Sequence, residues 1–156
     1  EAEEPVNIPI NIEADAYIPA TYITHEQSKI DIYKRLRQAK SLEELRDIED
    51  ELIDRFGGYP KEVETLIDLV KIKIYALTYG IYKVSEDARH FYLNVSKNAT
   101  EEIDGEKLFK DTEAFSRSLK ISVKDQEIRL TLRSKNIKEL TDLMAAIQDS
   151  RMEAVS

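Results

Sequence analysis

The segment Glu51-Leu-Ile-Asp-Arg-Phe-Gly-Gly-Tyr-Pro60 predicts a corner between two helices. Glycine just past a helix end can adopt the left-handed conformation that lets the chain turn, and proline fits the first turn of the next helix. The corner therefore holds Glu51, Asp54 and Arg55 on a rigid support. Charged side chains grouped beside a sharp turn suit a docking surface better than a catalytic pocket.

The helix before this corner is predicted to begin at Ser41, which can form a capping box with Glu44. Its apolar residues recur on one side, and its carboxylates fall on the opposite side at about 100° per residue. These outward carboxylates are Asp47, Asp50, Glu51 and Asp54. Glu49 falls on the apolar side and breaks the pattern. The acidic side is typical of a solvated helix surface, and it also suits contact with a partner.

Two further helices are predicted on either side of this one. The first is capped at Thr24, with Gln27 three residues later, and runs to about Ala39. The other runs from about Pro60 to Tyr79 and carries apolar residues on two faces. A helix that is apolar on two faces is expected to be covered on both, so it is the predicted central packing element.

The period of the apolar residues changes to two after Gly80. Residues 81–85 and 91–95 predict paired strands, and residues 119–132 predict a hairpin with a tight turn from Lys124 to Glu127. Asp104 is expected to cap a short helix that carries Leu108, Phe109 and Phe115. Asn136 with Glu139 opens a last helix. The predicted class is α+β, with a three-helix N-terminal half and an α/β C-terminal half that contains short antiparallel strands.

The N-terminal residues predict a linker that leads into an edge strand or extended arm. Four apolar residues alternate there with polar residues or proline: Val6, Ile8, Ile10 and Ile12. Pro9 has no backbone donor, which limits the segment to a sheet edge. The acidic start suggests that the chain was cut from a longer protein.

These signals give the following domain boundaries. Residues 1–13 are the linker and arm, and residues 14–150 form one α+β domain with a tail at 151–156. Within the domain, the helical part is expected over 24–80 and the α/β part over 81–150.

Composition argues against several classes of function. The chain has no cysteine, which removes disulfides and thiolate metal sites and fits a reducing cytoplasm. No apolar run approaches the roughly 20 residues that span a bilayer. Two of the four glycines form the corner, so no phosphate-binding loop is expected. His25 and His90 lack metal-ligand spacing, and no serine lies in a nucleophile elbow. We therefore expect no catalytic residue, cofactor or metal.

One basic stripe is predicted on the outward side of the hairpin, and it consists of Lys120, Lys124, Arg129 and Arg133. Such residues can contact a nucleic-acid backbone, and they also protect a sheet against edge pairing. No aromatic residue is expected within the stripe for base stacking. The net charge of −8 disfavours general attraction to phosphate, so we expect little or no direct DNA binding.

Three segments carry a resemblance to a known family. They read Asp15-Ala-Tyr-Ile-Pro19, Tyr33-Lys-Arg-Leu36 and Glu51-Leu-Ile-Asp-Arg-Phe-Gly57, the last of which is followed by Pro60. On these motifs the chain resembles the C-terminal (TRCF) domain of bacterial transcription-repair coupling factors (Mfd). The resemblance covers residues 10–147. It is specific from Asp15 to Gly80, and beyond that it rests on the order of strands and helices.

The resemblance implies a non-catalytic regulatory domain that follows an ATP-dependent DNA translocase. In that family the domain binds the UvrB-like N-terminal module of the same protein and hides the surface that recruits UvrA. The family's docking carboxylates correspond to Glu51 and Asp54, which face arginines of that module. Arg55, Asp47 and Asp50 complete the candidate interaction residues. UvrA and RNA polymerase are then indirect partners.

Two functions of other classes remain open. The chain could be a nucleic-acid-binding module that uses the basic stripe, which salt-sensitive DNA binding would support. It could also be a metal-dependent hydrolase with magnesium at Glu51 and Asp54, although one carboxylate pair at this spacing is a weak signal. Activity that depends on magnesium would support the hydrolase.

Overall fold

Helices α1 (Glu26–Gln38) and α2 (Leu42–Phe56) and most of α3 (Lys61–Tyr79) form the first of two structural units. The computed structural model describes residues 9–155, with side chains for residues 9–147, and residues 13–74 belong to this unit. Its core consists of apolar residues from all three helices and from the segment before α1. They include Ile18, Ile23, Ile32, Leu36, Leu45, Ile48, Leu52, Val63, Ile67 and Ile74.

Side-chain caps determine where the first two helices begin. The Ser41 hydroxyl accepts a hydrogen bond from the Glu44 N–H at 3.1 Å, as predicted for α2. The cap of α1 is His25 rather than Thr24, so the predicted capping box is wrong by one residue. His25 has an extended backbone, and its Nδ1 accepts from the Ser28 N–H at 3.3 Å. An imidazole nitrogen here fills the role that a hydroxyl usually has.

The corner after α2 forms as predicted and is fixed by a tyrosine. Gly57 adopts a φ of +84°, and its N–H donates to the Ile53 carbonyl at 3.0 Å. The Tyr22 hydroxyl donates to the Gly57 carbonyl at 2.8 Å and lies 3.2 Å from the Leu52 carbonyl. The Tyr22 ring also contacts the Phe56 ring, with centroids 5.8 Å apart. The hydroxyl thereby ties the segment before α1 to the residue that ends α2.

Glu49 breaks the apolar pattern of α2 because it has a polar partner within the same unit. The Tyr59 hydroxyl donates to Glu49 Oε1 at 3.0 Å, and both side chains are half-buried. A partly buried carboxylate is tolerated when it is hydrogen-bonded. Tyr59 lies in the corner itself, so this contact ties α2 to the turn that ends it.

The second unit contains a four-stranded antiparallel sheet, which confirms the predicted α+β class. Its strands are β1 (Ile81–Glu86), β2 (Phe91–Val95), β3 (Leu119–Lys124) and β4 (Glu127–Leu132), in the order β1-β2-β4-β3. Its helices are α4 (Lys97–Glu102), α5 (Gly105–Asp111) and α6 (Ile137–Val155), together with the end of α3. The predicted pairing of β1 with β2 and the hairpin of β3 with β4 are both confirmed.

The predicted N-terminal arm lies along the outer edge of β1. The Asn11 N–H donates to the Val84 carbonyl at 2.9 Å, and the Val84 N–H donates to the Pro9 carbonyl at 3.1 Å. Ile10 thus forms an isolated parallel bridge with Val84. Residues 6–8 of the predicted arm lie outside the described residues. Pro9 uses only its carbonyl here, as expected of proline at a sheet edge.

Three local features of the second unit differ from the sequence prediction. Helix α4 was not predicted, because its six residues carry no apolar repeat. Phe115 belongs to a short 3-10 turn (Glu113–Phe115) and not to the helix capped by Asp104. Helix α6 continues to Val155, into the segment predicted as a tail.

Gly80 ends α3 at a position that no other residue would fit. Its φ is +77°, and a Cβ there would lie 2.4 Å from the Ala99 Cβ. This close approach lets α4 pack directly beside the start of β1.

We expect the substitution Tyr22→Phe to lower the free energy of unfolding by about 0.5–1.5 kcal/mol, because it removes the hydroxyl that binds the carbonyls at the corner. Urea denaturation measures this change. Tyr17→Phe is the matched control, because Tyr17 is 48% exposed and its hydroxyl has no hydrogen-bond partner among residues 9–147. Equal stability of Tyr22→Phe and the unmodified chain would show that water replaces this contact.

Candidate protein-docking site

Four carboxylates of α2 form what we call the acidic face: Asp47, Asp50, Glu51 and Asp54. Asp47 and Asp54 each lie three or four residues from both Asp50 and Glu51, which is about one helical turn, whereas Asp50 and Glu51 are consecutive and point about 100° apart. Asp47, Asp50 and Asp54 are exposed. Within residues 9–147, none of these three has an ion pair or a side-chain hydrogen bond. The acidic face therefore presents three free carboxylates in a fixed spacing.

Glu51 is less exposed than the sequence analysis predicted. Its Oε2 accepts hydrogen bonds from Arg35 Nη1 and Arg55 Nη1, both at 2.9 Å, and 33% of the side chain is exposed. Arg35 lies on α1, so this carboxylate joins α1 to α2 and also pairs with the next turn of its own helix. Both arginines bind the same oxygen, which leaves Oε1 available to a partner.

Two interactions also hold Arg55 in place. Its guanidinium pairs with Glu51 and lies over the Phe56 ring, 4.8 Å from the ring centroid. A guanidinium has five N–H donors, so Arg55 keeps donors for a partner while these contacts fix its position. The structure thus brings together Glu51 and Arg55 of the predicted site, with Asp47, Asp50 and Asp54 beside them.

The two arginines lower the pKa of Glu51. Hydrogen bonds from Arg55 and then Arg35 are the main causes, and they favour the charged carboxylate over the neutral acid. Partial burial of the group acts in the opposite direction and is outweighed. Glu51 is therefore ionised throughout the physiological range.

A groove adjoins the acidic face. Its volume is about 380 Å³, and it is open to solvent. It lies between α1 and α2 and is lined by Arg35, Gln38, Ala39, Glu44, Asp47 and Ile48. The surface next to the carboxylates therefore contains a groove that could accept a side chain of a partner.

Arg35 is the site residue that the sequence reasoning missed. It lies in the segment Tyr33–Leu36, which carries part of the family resemblance, but nothing in the local pattern pairs it with Glu51. The same segment has a second role, because the Tyr33 hydroxyl accepts from the Ile18 N–H at 2.7 Å. This contact joins the first two of the three motif segments.

Other residues considered for chemistry have structural contacts instead. His25 caps α1, and the ring of His90 lies 3.0 Å from Asp87 Oδ1. Among the residues that the structure describes, no group of three or more acidic or histidine side chains is arranged to hold a metal ion. No helix in that part of the chain has the length and apolar content needed to cross a membrane.

We expect Glu51→Gln to reduce stability at pH 7, with a loss that shrinks as the pH falls. A carboxylate whose folded pKa is lowered contributes stability above its unfolded pKa, near the ordinary value of 4.5, and loses it as the pH falls through the lower folded pKa. Urea denaturation of the unmodified chain and of Glu51→Gln, at a series of pH values from 7 to below 4.5, measures this difference in stability.

Asp54→Asn is the matched control for this experiment. Asp54 is exposed and unpaired within residues 9–147, so the substitution should not lower stability at pH 7. If Glu51→Gln matches the unmodified chain at pH 7, the bridge between α1 and α2 contributes nothing in solution.

Comparison with known proteins places the chain in one family. Residues 12–106 match the sequence profile of the TRCF domain. The chain is 41% identical over 152 residues to the transcription-repair-coupling factor of Staphylococcus epidermidis, covering 96% of the chain and 13% of the relative. It is 45% identical over 132 residues to that of Staphylococcus haemolyticus, covering 83% of the chain and 11% of the relative. The chain thus spans only about 13% of the length of such relatives.

A solved structure agrees with these sequence matches. It is a crystal structure of the C-terminal domain of a transcription-repair coupling factor, 25% identical with a TM-score of 0.82, and the match covers 95% of this chain and 93% of that one. The chain belongs to the TRCF domain family, as the C-terminal domain of a transcription-repair coupling factor.

Proposed function

We propose that this chain is the regulatory docking domain of a coupling factor and restrains the factor through intramolecular contact. The acidic face of α2 binds the UvrB-like N-terminal module and covers the surface that recruits UvrA. The domain itself is not catalytic. In the cytoplasm, the translocase part of the factor moves RNA polymerase off a lesion, and UvrA recruitment stays blocked until then.

The free carboxylates of the acidic face carry this proposal. Asp50 and Asp54 are four residues apart, and like charges at that spacing destabilise a helix by roughly 0.2–0.5 kcal/mol. An isolated domain gains nothing from this repulsion. A partner surface with arginines removes it, because each carboxylate then faces a cation.

The fixed position of the Glu51 carboxylate also supports the docking proposal. Arg35 and Arg55 fix Oε2, so Oε1 is already in place when a partner donor arrives. Contacts between arginine and carboxylate are charge-assisted and can be bidentate, which favours one docking register over others. Fixing the acceptor before binding also reduces the conformational entropy that binding removes.

We expect Asp50→Lys with Asp54→Lys to weaken binding to the N-terminal module at least about tenfold, because each lysine would face partner arginines. Isothermal titration with the purified module measures this. In the full-length factor, the same variant should bind UvrA without a trigger. Glu51 is left unchanged because its substitution would also break the bridge to α1.

The control variant is Glu101→Lys with Glu113→Lys, which makes the same charge change at exposed positions of the second unit. It should bind the module as the unmodified chain does. Circular dichroism melting verifies that both variants fold. If the α2 variant melts normally and still binds the module with unchanged affinity, the acidic face is only a solvated surface and the docking proposal is wrong.

We also expect the isolated chain to show background ATPase and nuclease activity, with or without magnesium. Among the described residues, no group of three or more acidic or histidine side chains is arranged to hold a metal ion, and the sequence has no phosphate-binding loop. Turnover that scales with chain concentration and survives repurification would contradict a purely regulatory role. Magnesium-dependent turnover that Asp54→Asn removes would instead support the hydrolase.

A further inference from the structure

The sheet of the second unit presents a polar face to solvent. The strand register defines two rows of neighbouring side chains that cross all four strands. One row is Lys83, Asn94, Arg129 and Ser122, and the other is Ser85, Tyr92, Thr131 and Lys120. Directly paired residues lie on the same side of a sheet. We call this side, with Lys124, Glu127 and Tyr82, the open face. The buried residues of the strands, such as Leu93 and Leu130, lie on the other side.

A β-bulge places Tyr82 on the open face. The register shifts between Ile81 and Lys83, so Tyr82 has no partner on β2. Bulges commonly redirect one side chain in this way. Tyr82 is 44% exposed, and its hydroxyl donates to Glu127 Oε1 at 2.8 Å. The sequence analysis expected no aromatic residue within the basic stripe. That is true of the hairpin itself, but Tyr82 of β1 lies beside it.

Strand β2 supplies a second aromatic ring. The guanidinium of Arg129 lies over the Tyr92 ring, with its carbon 4.2 Å from the centroid. The Tyr92 hydroxyl donates to Asp87, which holds the ring in position. A cation over an aromatic ring is attracted to it, and a guanidinium plane can itself stack on a nucleobase. Arg129 and Tyr92 thus form a fixed stacking unit.

The open face is positive although the whole chain carries −8. Its cations are Lys83, Lys120, Lys124 and Arg129, and none of them has an ion-pair partner within residues 9–147. Two carboxylates adjoin these four cations: Glu127 accepts a hydrogen bond from Tyr82, and Asp87 accepts one from Tyr92. A positive surface on an acidic protein indicates an anionic partner.

We propose that the open face of the sheet binds single-stranded nucleic acid. This proposal departs from the expectation of little or no direct DNA binding, which was drawn from the net charge of the whole chain. Lys83, Lys120 and Lys124 contact phosphates, while Tyr82 and the Arg129–Tyr92 unit stack on bases. All of these residues belong to the second unit, so this function is independent of docking through α2.

The aromatic residues favour a single strand over other anionic partners. Aromatic side chains on an open four-stranded sheet can stack two or three unpaired bases. In a duplex the bases are stacked on each other and do not reach a flat sheet. An acidic protein segment would use the lysines but would gain nothing comparable from the rings. Each stacked base strengthens binding in a way that depends little on sequence.

Fluorescence anisotropy with a short labelled oligothymidine tests this proposal. We expect a dissociation constant of about 10⁻⁴ to 10⁻⁶ M at physiological salt. Each phosphate contact on a single strand contributes about 0.7 to the slope of log affinity against log salt. Lys120→Ser with Lys124→Ser should therefore reduce the slope by about 1.4 between about 50 and 200 mM salt.

The matched control is Lys97→Ser with Lys110→Ser, which removes two exposed lysines from α4 and α5. It should leave the slope unchanged. Tyr82→Leu should weaken binding about five- to a hundredfold without changing the slope, because the ring stacks and carries no charge. Circular dichroism verifies that each variant folds.

Three results would overturn the proposal. The first is no saturable binding at about 50 mM salt, the low end of the series. The second is a Tyr82→Leu chain that binds like the unmodified one, which would exclude stacking. The third is competition by polyglutamate as strong as that of oligothymidine, which would assign the face to an acidic protein. The variant Asp50→Lys with Asp54→Lys should still bind oligothymidine. Failure of the docking proposal can therefore be distinguished from failure of the nucleic-acid proposal.

Discussion

The turn at Gly57 is the constraint on which the first unit depends. Helix α2 ends there because Gly57 adopts a left-handed φ of +84°, and the Tyr22 hydroxyl donates to the Gly57 carbonyl. Tyr59, two residues further on, binds Glu49 and holds the turn against the helix. A helix fixed at its end keeps its side chains in constant relative positions. The helix that carries the acidic face is therefore anchored to the rest of the first unit.

Glu51 and Asp54 differ although the sequence treats them alike. Both are carboxylates on the outer half of α2, yet only Glu51 lies within reach of Arg35 on α1. Glu51 therefore stabilises the contact between two helices, and it still offers one oxygen to a partner. Asp54 has no such contact among residues 9–147 and is free to bind. A surface of this kind combines a rigid centre with available charges, which suits a docking site that must hold one register.

The net charge of the chain describes neither of its charged surfaces. The acidic face belongs to the first unit, and the positive open face of the sheet belongs to the second. The net charge hides this separation, because the acidic residues of the whole chain outnumber the basic ones and mask a local group of cations. Each surface carries charges of mainly one sign and therefore attracts a partner of the opposite sign. The docking and nucleic-acid proposals are compatible for this reason.

The amino-acid sequence was enough to predict the helices of the first unit, the two antiparallel pairs of the second and the carboxylates of the acidic face. These features follow from local signals, since caps, glycine stops and apolar periods act over a few residues. It also carried the family motifs, which the sequence and structure matches confirm. Helix α4 was not predicted, because its six residues are too few to show a repeat of apolar positions.

The contacts between polar side chains could not be predicted from the sequence, because they depend on how the elements pack. Arg35 reaches Glu51 because α1 and α2 pack side by side, and Tyr92 reaches Arg129 because β2 pairs with β4 across a long connection. Tyr82 joins the open face through a bulge that no period of two would predict. These contacts join residues far apart in the chain, and their partners are set by packing and strand order rather than by neighbouring sequence.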